Sequence, residues 1–345
     1  MTPRERILAA MDFTGPDRAP IQHYIFPGAF REHGERLVRL LERYPDDFGN
    51  AAPLANWEAS QQLGDRPPDV LEWVDAWGTT WFRSSLYTSG EVKIPGLPTW
   101  DGWPTYQFPP APSDEHYERF AAAVQAQHPE QFVMVGGGGL FQHIQSLRGP
   151  ENFFYDIADD RAELHELCAR LVDYYQPQLR RHLAAGADCA VWGDDWGTQI
   201  AMLCSPADWR RIFKPHYQAL FDTVHEFGKK IWIHSDGWIL DILPDLLEMG
   251  VHLINPQHPC MGTRRVGGIL GGRVCVRTDI DRQGVLPFGT PDDVRAAVRE
   301  VMECFGRSNG GVMLHGEIGP HVPYDNIEAL YAAFAEYGQY PLTWL

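Results

Sequence analysis

Residues 189–199 read Cys189-Ala-Val-Trp-Gly-Asp-Asp-Trp-Gly-Thr-Gln199, a short apolar run that ends in glycine and a pair of carboxylates. A run of this length, too short for a helix and closed by turn-forming residues, predicts a strand buried on both faces with the carboxylates just past its C-terminal end. The pattern returns in Lys230-Ile-Trp-Ile-His-Ser-Asp-Gly237 and in Gly311-Val-Met-Leu-His-Gly-Glu317. From residue 116 onward such runs, at 132–136, 189–193, 230–234, 252–255, 274–277 and 311–315, alternate with amphipathic stretches of helical spacing. Regular alternation of strand and helix is the mark of a parallel sheet. Runs at 20–25 and within 70–82 bring the number of strands to eight, which a closed parallel barrel requires. The expected fold class is therefore α/β: a single (β/α)8 TIM barrel that uses residues 1–345 as one domain, with an irregular insertion in the N-terminal third. An open doubly wound sheet is the alternative, but the glycine-rich strand end, Gly136-Gly-Gly-Gly139, lacks the spacing of a dinucleotide fingerprint.

Upstream of the alternation, Thr2, Pro3 and Glu5 predict a capping box at the start of a helix that ends near Gly15. Residues 18–25 read as a strand and 28–44 as an amphipathic helix. Residues 45–115, rich in Pro, Trp and Gly, read as an insertion or irregular hairpin region, with a composition that suits a lid over the barrel mouth.

The chain carries 29 Lys and Arg against 46 Asp and Glu, a formal charge of −17, and no basic run. Nucleic acid and anionic membrane are poor partners for such a surface, and a small-molecule substrate is expected instead. With 44% hydrophobic and 22% charged residues there is a core to bury, which excludes disorder as a description of the whole. The six cysteines form no Cys-x-x-Cys pair and mostly sit in apolar segments, as reduced thiols do. Met1-Thr-Pro-Arg-Glu-Arg6 places charge where a signal peptide needs its apolar stretch, and no run approaches the roughly 18 apolar residues of a membrane span. A cytoplasmic location is expected.

In a barrel of this kind, residues just past the strand ends converge on one mouth. His-x-Asp at 234 and 236 sets two donors on the same side of an extended strand end, and His315-Gly-Glu317 repeats the geometry. His234, Asp236, His315 and Glu317 are thus candidate ligands of a divalent metal, zinc first, with Mn, Fe or Co also suited to a set without thiolate. The alternative is a pair of histidines hydrogen-bonded to neighbouring carboxylates with no ion. Asp194, Asp195 and Glu317 are candidate catalytic groups, because adjacent carboxylates at a buried mouth raise the proton affinity of one of them. In the plainer reading Asp195 caps a helix and Asp194 alone faces the pocket. His23, His143, Trp196, Gln199, Asn255 and Gln257 are candidate substrate contacts. Asp279 and Asp281 alternate, so one of them can point into the mouth while the other pairs with Arg282, with structural roles the favoured reading.

The chain resembles the uroporphyrinogen decarboxylase superfamily, which includes zinc-dependent methyltransferases that act with corrinoid proteins. The resemblance is carried by Arg4-Glu-Arg-Ile-Leu-Ala-Ala-Met11 with Pro16-Asp-Arg-Ala-Pro20, Leu147-Arg-Gly-Pro-Glu151, Gly193-Asp-Asp-Trp-Gly197, the 206–215 segment, Ile233-His-Ser-Asp-Gly-Trp-Ile239, Gly250-Val-His-Leu-Ile-Asn-Pro256 and Val322-Pro-Tyr-Asp-Asn-Ile327. It implies an eight-stranded barrel with its pocket at the C-terminal mouth, and in many such proteins a homodimer. The decarboxylase's arginine-rich signature, Arg-Gln-Ala-Gly-Arg, is replaced here by Gln22-His-Tyr-Ile-Phe-Pro-Gly28, which argues against a porphyrinogen substrate. The methyltransferases' zinc pattern is His-x-Cys with a second Cys near the eighth strand. This chain has Asp236 at the first cysteine position and Gly316, between His315 and Glu317, about where the second falls. Harder ligands leave a metal ion more electrophilic and suit it to polarising an oxygen. The resemblance and this substitution together imply a methyltransferase that moves a methyl group from a small methoxylated or methylated substrate to a corrinoid protein, with a metal assisting. The alternatives are a lyase or decarboxylase-like enzyme acting on a small carboxylate metabolite, with Arg148, Arg277 or Arg282 binding the anion, and a non-catalytic binding barrel.

Overall fold

The computed structural model describes residues 1–49, 53–62, 71–83 and 90–345. Its strands are β1 (Ile21–Ile25), β2 (Leu71–Val74), β3 (Thr80–Arg83), β4 (Glu91–Ile94), β5 (Met134–Gly136), β6 (Cys189–Gly193), β7 (Lys230–Ser235), β8 (Leu253–Pro256), β9 (Cys275–Arg277) and β10 (Val312–Ile318). Seven of them form one parallel sheet in the order β1-β10-β9-β8-β7-β6-β5, so consecutive strands from β5 to β10 are neighbours and β1 joins beside the last. Helices connect them, including Phe141–Arg148 and Ala162–Ala184 between β5 and β6 and Lys214–Glu226 between β6 and β7. Seven of the strands expected from sequence appear, displaced by no more than three residues at either end.

The eighth does not. The piece within 70–82 folds as the antiparallel hairpin β2–β3, with Trp73 opposite Trp81, and pairs with β4 in a separate sheet. Asp75 decides this, because its carboxylate accepts Trp77 N at 2.9 Å, Thr79 N at 3.0 Å and Trp81 Nε1 at 2.7 Å. That turn closes the two runs on each other, whereas a parallel pair would need a long crossover. The hairpin region is fastened to the helix Phe141–Arg148: Trp77 stacks edge-on at 4.2 Å to His143, and Leu97 N donates to Leu147 O at 2.7 Å. The expected single helix over 28–44 is two, Pro27–His33 and Glu35–Arg43, broken at Gly34 with φ of +57°.

Among the described residues the gap between β1 and β5 is bridged without a strand. Asp47 N donates to Ile21 O at 2.9 Å on β1, and the ring of Phe48 meets Phe132, just before β5, at 6.4 Å. Asp47, 2% exposed, accepts from Arg6 at 2.6 Å, Arg18 at 2.7 Å and Ile21 N at 2.8 Å. Truncating it would leave the Arg18 guanidinium without its carboxylate and Arg6 with Asp17 alone. Asp47→Ala is expected to lower unfolding free energy by roughly 3–5 kcal/mol, the usual cost of removing one partner from a buried ion pair; urea denaturation followed by tryptophan fluorescence checks this.

The N-terminal helix, Pro3–Met11, starts with the predicted capping box from Thr2 and Glu5. Its Ile7, Ala10 and Met11 pack with Phe48, Phe132, Cys189, Trp232, Leu253, Cys275 and Met313 in a core separate from the larger one between sheet and helices. Most of these residues lie at the starts of their strands, so the helix plugs the N-terminal end of the sheet and leaves the C-terminal end to open. Among the described residues no helix is long and apolar enough to cross a membrane, and all six cysteines are free thiols.

Candidate active site at the C-terminal mouth

A cavity of about 620 Å³ opens where β1, β7, β8, β9 and β10 end. Parallel register sets its floor: Gln22 lies beside His315, and His234 beside Asn255. His234 directs Nδ1 at Asn255 Oδ1, 2.7 Å away, while Asn255 Nδ2 donates to Arg277 O at 3.0 Å. The second bond fixes the amide's orientation, so its oxygen faces the ring and Nδ1 carries the proton. The lone pair of a neutral His234 then resides on Nε2, which faces Asp195 Oδ1 at 3.7 Å and Asp236 Oδ1 at 3.8 Å.

Among the described residues, Asp195, His234 and Asp236 offer ligand atoms that all lie within 4.8 Å of one another. Their outer atoms are held. Asp195 Oδ2 accepts from Gln142 Nε2 at 2.8 Å and its Oδ1 from Asp236 N at 2.8 Å. Asp236 Oδ2 pairs with Arg282 Nη2 at 2.6 Å, while Asp236 Oδ1 is buried with no hydrogen-bond partner. An orphaned carboxylate oxygen, an imidazole lone pair and a second carboxylate form a nitrogen–oxygen donor set, with the supporting bonds that metal ligands usually have. These residues fit a divalent ion.

The loops carrying the set cross at two glycines. A Cβ on Gly237, whose φ is +77°, would lie 2.2 Å from Gly197 O, and one on Gly197 would lie 2.3 Å from Trp238 N. Trp238 N donates to Thr198 O at 2.6 Å across the same contact. This backbone crossing holds the Asp195 loop against the Asp236 loop. Gln257 Oε1 strengthens it by accepting from Gly237 N and from Gln199 Nε2, each at 2.9 Å.

Arg282 sits between three carboxylates, bonded to Asp236 and Glu317 and 3.8 Å from Asp279. Asp279 is 3% exposed, its Oδ1 has no partner, and burial pushes its carboxyl up to about 7 against the opposing pull of Arg282. A carboxyl that is half protonated at neutral pH and faces a cavity is suited to giving or taking a proton. His315 directs Nδ1 at Thr278 O, 3.0 Å away, and leaves a buried Nε2 without a partner; burial and the nearby Arg277 hold its pKa well below the usual value.

The residues expected from sequence to form the site are divided differently by the structure. His234 and Asp236 come together as expected, but their third partner is Asp195. His315 and Glu317 lie in the cavity wall outside that group, because one is turned to Thr278 and the other is bonded to Arg282. Of the acidic pair, Asp195 meets His234 and Asp236, and Asp194 does not. Asp194 is 1% exposed and accepts from Tyr217 Oη at 2.5 Å, Gln142 N at 2.8 Å and Leu140 N at 3.2 Å, and burial raises its pKa to about 6. It anchors the start of the helix Phe141–Arg148. Of the expected substrate contacts, His23 and Asn255 line the cavity. His143 is walled off by Trp77 and Tyr175, Trp196 is buried against Trp209 and Tyr217, and Gln199 with Gln257 supports the loop crossing. Arg148 pairs with Asp156 at 2.8 Å away from the mouth. Asp279, read as structural in the sequence, is a cavity residue, and Arg277 joins it.

The sequence matches the family described as Uroporphyrinogen decarboxylase (URO-D) over residues 111–337. The chain belongs to the uroporphyrinogen decarboxylase family. The matched stretch contains the Asp195, His234 and Asp236 group and the wall formed by Arg277, Asp279, Arg282, His315 and Glu317. Among curated relatives, the uroporphyrinogen decarboxylase of Thermus thermophilus is 28% identical over 172 residues, 49% of this chain and 47% of the relative. That of Flavobacterium johnsoniae is 23% identical over 220 residues, 61% of each chain. The chain thus spans about half the length of the T. thermophilus relative it matches. Among solved structures, a methyltransferase from Methanosarcina mazei has a TM-score of 0.65 at 19% identity, covering 98% of this chain and 99% of that one. At that identity the likeness is one of fold.

Proposed function

We propose that this URO-D family protein is a metal-assisted methyltransferase, which takes the methyl group from a small methoxylated substrate and passes it to a corrinoid protein. The observation that carries this reading is the convergence of Asp195 with His234 Nε2 and the orphaned Asp236 Oδ1, the last two lining a cavity that also holds Asp279. A divalent ion such as zinc, held by those three side chains, would supply Lewis acidity toward the substrate's ether oxygen. Asn255 keeps the His234 lone pair available, and Arg282 and Gln142 hold the two carboxylates in place. When the methyl–oxygen bond breaks, its electron pair stays with the oxygen, which takes a proton from Asp279. A corrinoid protein as partner would take up the methyl group, its reduced cobalt(I) supplying the electron pair of the new bond.

Asp279 as proton donor fixes the sign of the pH dependence. Its proton is present below about 7 and lost above, so the rate of methyl transfer falls as pH rises through that value. Asp279→Asn is expected to lower the rate about 100-fold and to remove the fall above pH 7; a pH–rate profile of both proteins checks it. The function itself is tested by incubating zinc-loaded protein with a panel of methoxy compounds and a reduced corrinoid protein. Demethylated product supports the reading, and no transfer across the panel overturns it.

One observation favours a second reading, a lyase acting on a small carboxylate: among the described residues the buried Arg277 has no carboxylate partner. Release of CO2 from the substrate, with its methyl group retained, would identify that activity.

A further inference from the structure

Arg277 is a buried cation without a matching anion. It is 7% exposed, and its side-chain hydrogen bonds go to two neutral amide oxygens, Gln22 Oε1 through Nε and Asn255 Oδ1 through Nη1. Among the described residues no carboxylate lies within ion-pair distance of it, although the same cavity holds Asp236, Asp279 and Glu317. Those carboxylates cluster on Arg282 instead. Burial lowers the Arg277 pKa to about 10, which leaves it charged at neutral pH. Nη2 has no acceptor among the described residues, and the guanidinium carries five donors in a fixed plane. Beyond those amides its guanidinium meets only the ring of Trp232, 5.4 Å away, whereas a structural buried arginine normally meets a carboxylate, as Arg148 meets Asp156 at 2.8 Å in this chain. A second unpartnered group stands in the same wall, the buried Nε2 of His315.

From this geometry we infer that the substrate is an organic acid, whose carboxylate is bound by Arg277 at the floor of the cavity. The inference rests on the proposed demethylase reading for the word substrate, but the binding it describes does not depend on methyl transfer. A planar carboxylate presents two acceptor oxygens in the plane of the guanidinium's free edge, the bidentate geometry that arginine matches best. A phosphate would turn further oxygens toward the bare nitrogen of His315 and toward Asp279 and Glu317, so the wall favours the flatter anion. Arg277 lies two residues from Asp279 on the end of β9. Anchoring the acid there fixes the rest of the molecule within a cavity shared with Asp279 and the Asp195, His234 and Asp236 group.

Calorimetric titration of the full chain, with and without added Zn²⁺, is the test, using 4-methoxybenzoate and methoxyacetate against their primary amides and against inorganic phosphate. The acids are expected to bind at least tenfold more tightly than the amides, and more tightly than phosphate. Arg277→Gln, which removes the charge but keeps an amide donor, is expected to erase the preference, whereas Arg277→Lys, which keeps the charge, retains part of it. Circular dichroism establishes that the variants are folded, and Arg277→Lys carries the test if the glutamine variant is not. Equal binding of acid and amide by the parent protein, no binding of either acid, tighter binding of phosphate, or an undiminished preference in folded Arg277→Gln would each overturn the inference. A protein that prefers acids but transfers no methyl group would overturn the demethylase reading and leave this one standing.

Discussion

His234→Ala is expected to lower the affinity for a divalent ion by about 100-fold or more and to reduce methyl transfer below detection. The imidazole is the sole nitrogen in the Asp195, His234 and Asp236 group, and its loss leaves two carboxylates, one of them already bonded to Arg282. Side chains that merely support a ligand contribute 10- to 100-fold to metal affinity, and a ligand itself contributes at least as much. Equilibrium dialysis against zinc, with metal content read by mass spectrometry, measures the loss. The fold should survive, because His234 is half-exposed and its ring fills no core. Unchanged zinc content in His234→Ala would rule out the metal site.

Gly237→Ala should be the most damaging single methyl group added near the mouth. Its φ of +77° is strained for any residue with a Cβ, and the new carbon would meet the backbone oxygen of Gly197 at 2.2 Å. Backbone cannot turn aside as a side chain can. Separating the two loops also pulls Asp195 from Asp236, whose backbone N–H it accepts at 2.8 Å. A loss of roughly 3 kcal/mol in stability is expected, combining left-handed strain with overpacking, together with weakened zinc binding. Thermal denaturation and the same dialysis measure both. By contrast Gly136→Ala, where an added Cβ meets nothing within 4 Å, should leave zinc binding intact.

The legible part of this molecule was the set of strand ends. Short apolar runs closed by Gly, Asp or His located seven parallel strands, and through them placed His23, His234, Asn255, His315 and Glu317 at one mouth. Which of these meet was not legible, because contact depends on register between strands and on how loops cross. Asp195 joins His234 since Gly193 pairs with His234 across β6 and β7, and the crossing at Gly197 and Gly237 brings the following residues together. Within the acidic pair, neighbouring residues of an extended chain face opposite ways, so one meets His234 and the other does not. The sequence does not say which. The cue for Arg277 and Asp279 was present in their alternation at the end of β9, yet Arg282 three residues on offered a nearby partner that made a structural role the simpler reading. That the piece within 70–82 does not join the parallel sheet follows from Asp75, whose turn converts two strand-like runs into a hairpin.

Whether this mouth breaks a methyl–oxygen bond is decided by supplying zinc-loaded protein and a reduced corrinoid protein with 4-methoxybenzoate carrying a ¹³C label in the methyl group, and following the label by mass spectrometry. The expected product is 4-hydroxybenzoate with the label in the corrinoid fraction, both absent when His234→Ala replaces the parent protein. Recovery of the label in unreacted substrate, or in a decarboxylated methoxy product, would contradict methyl transfer at this site.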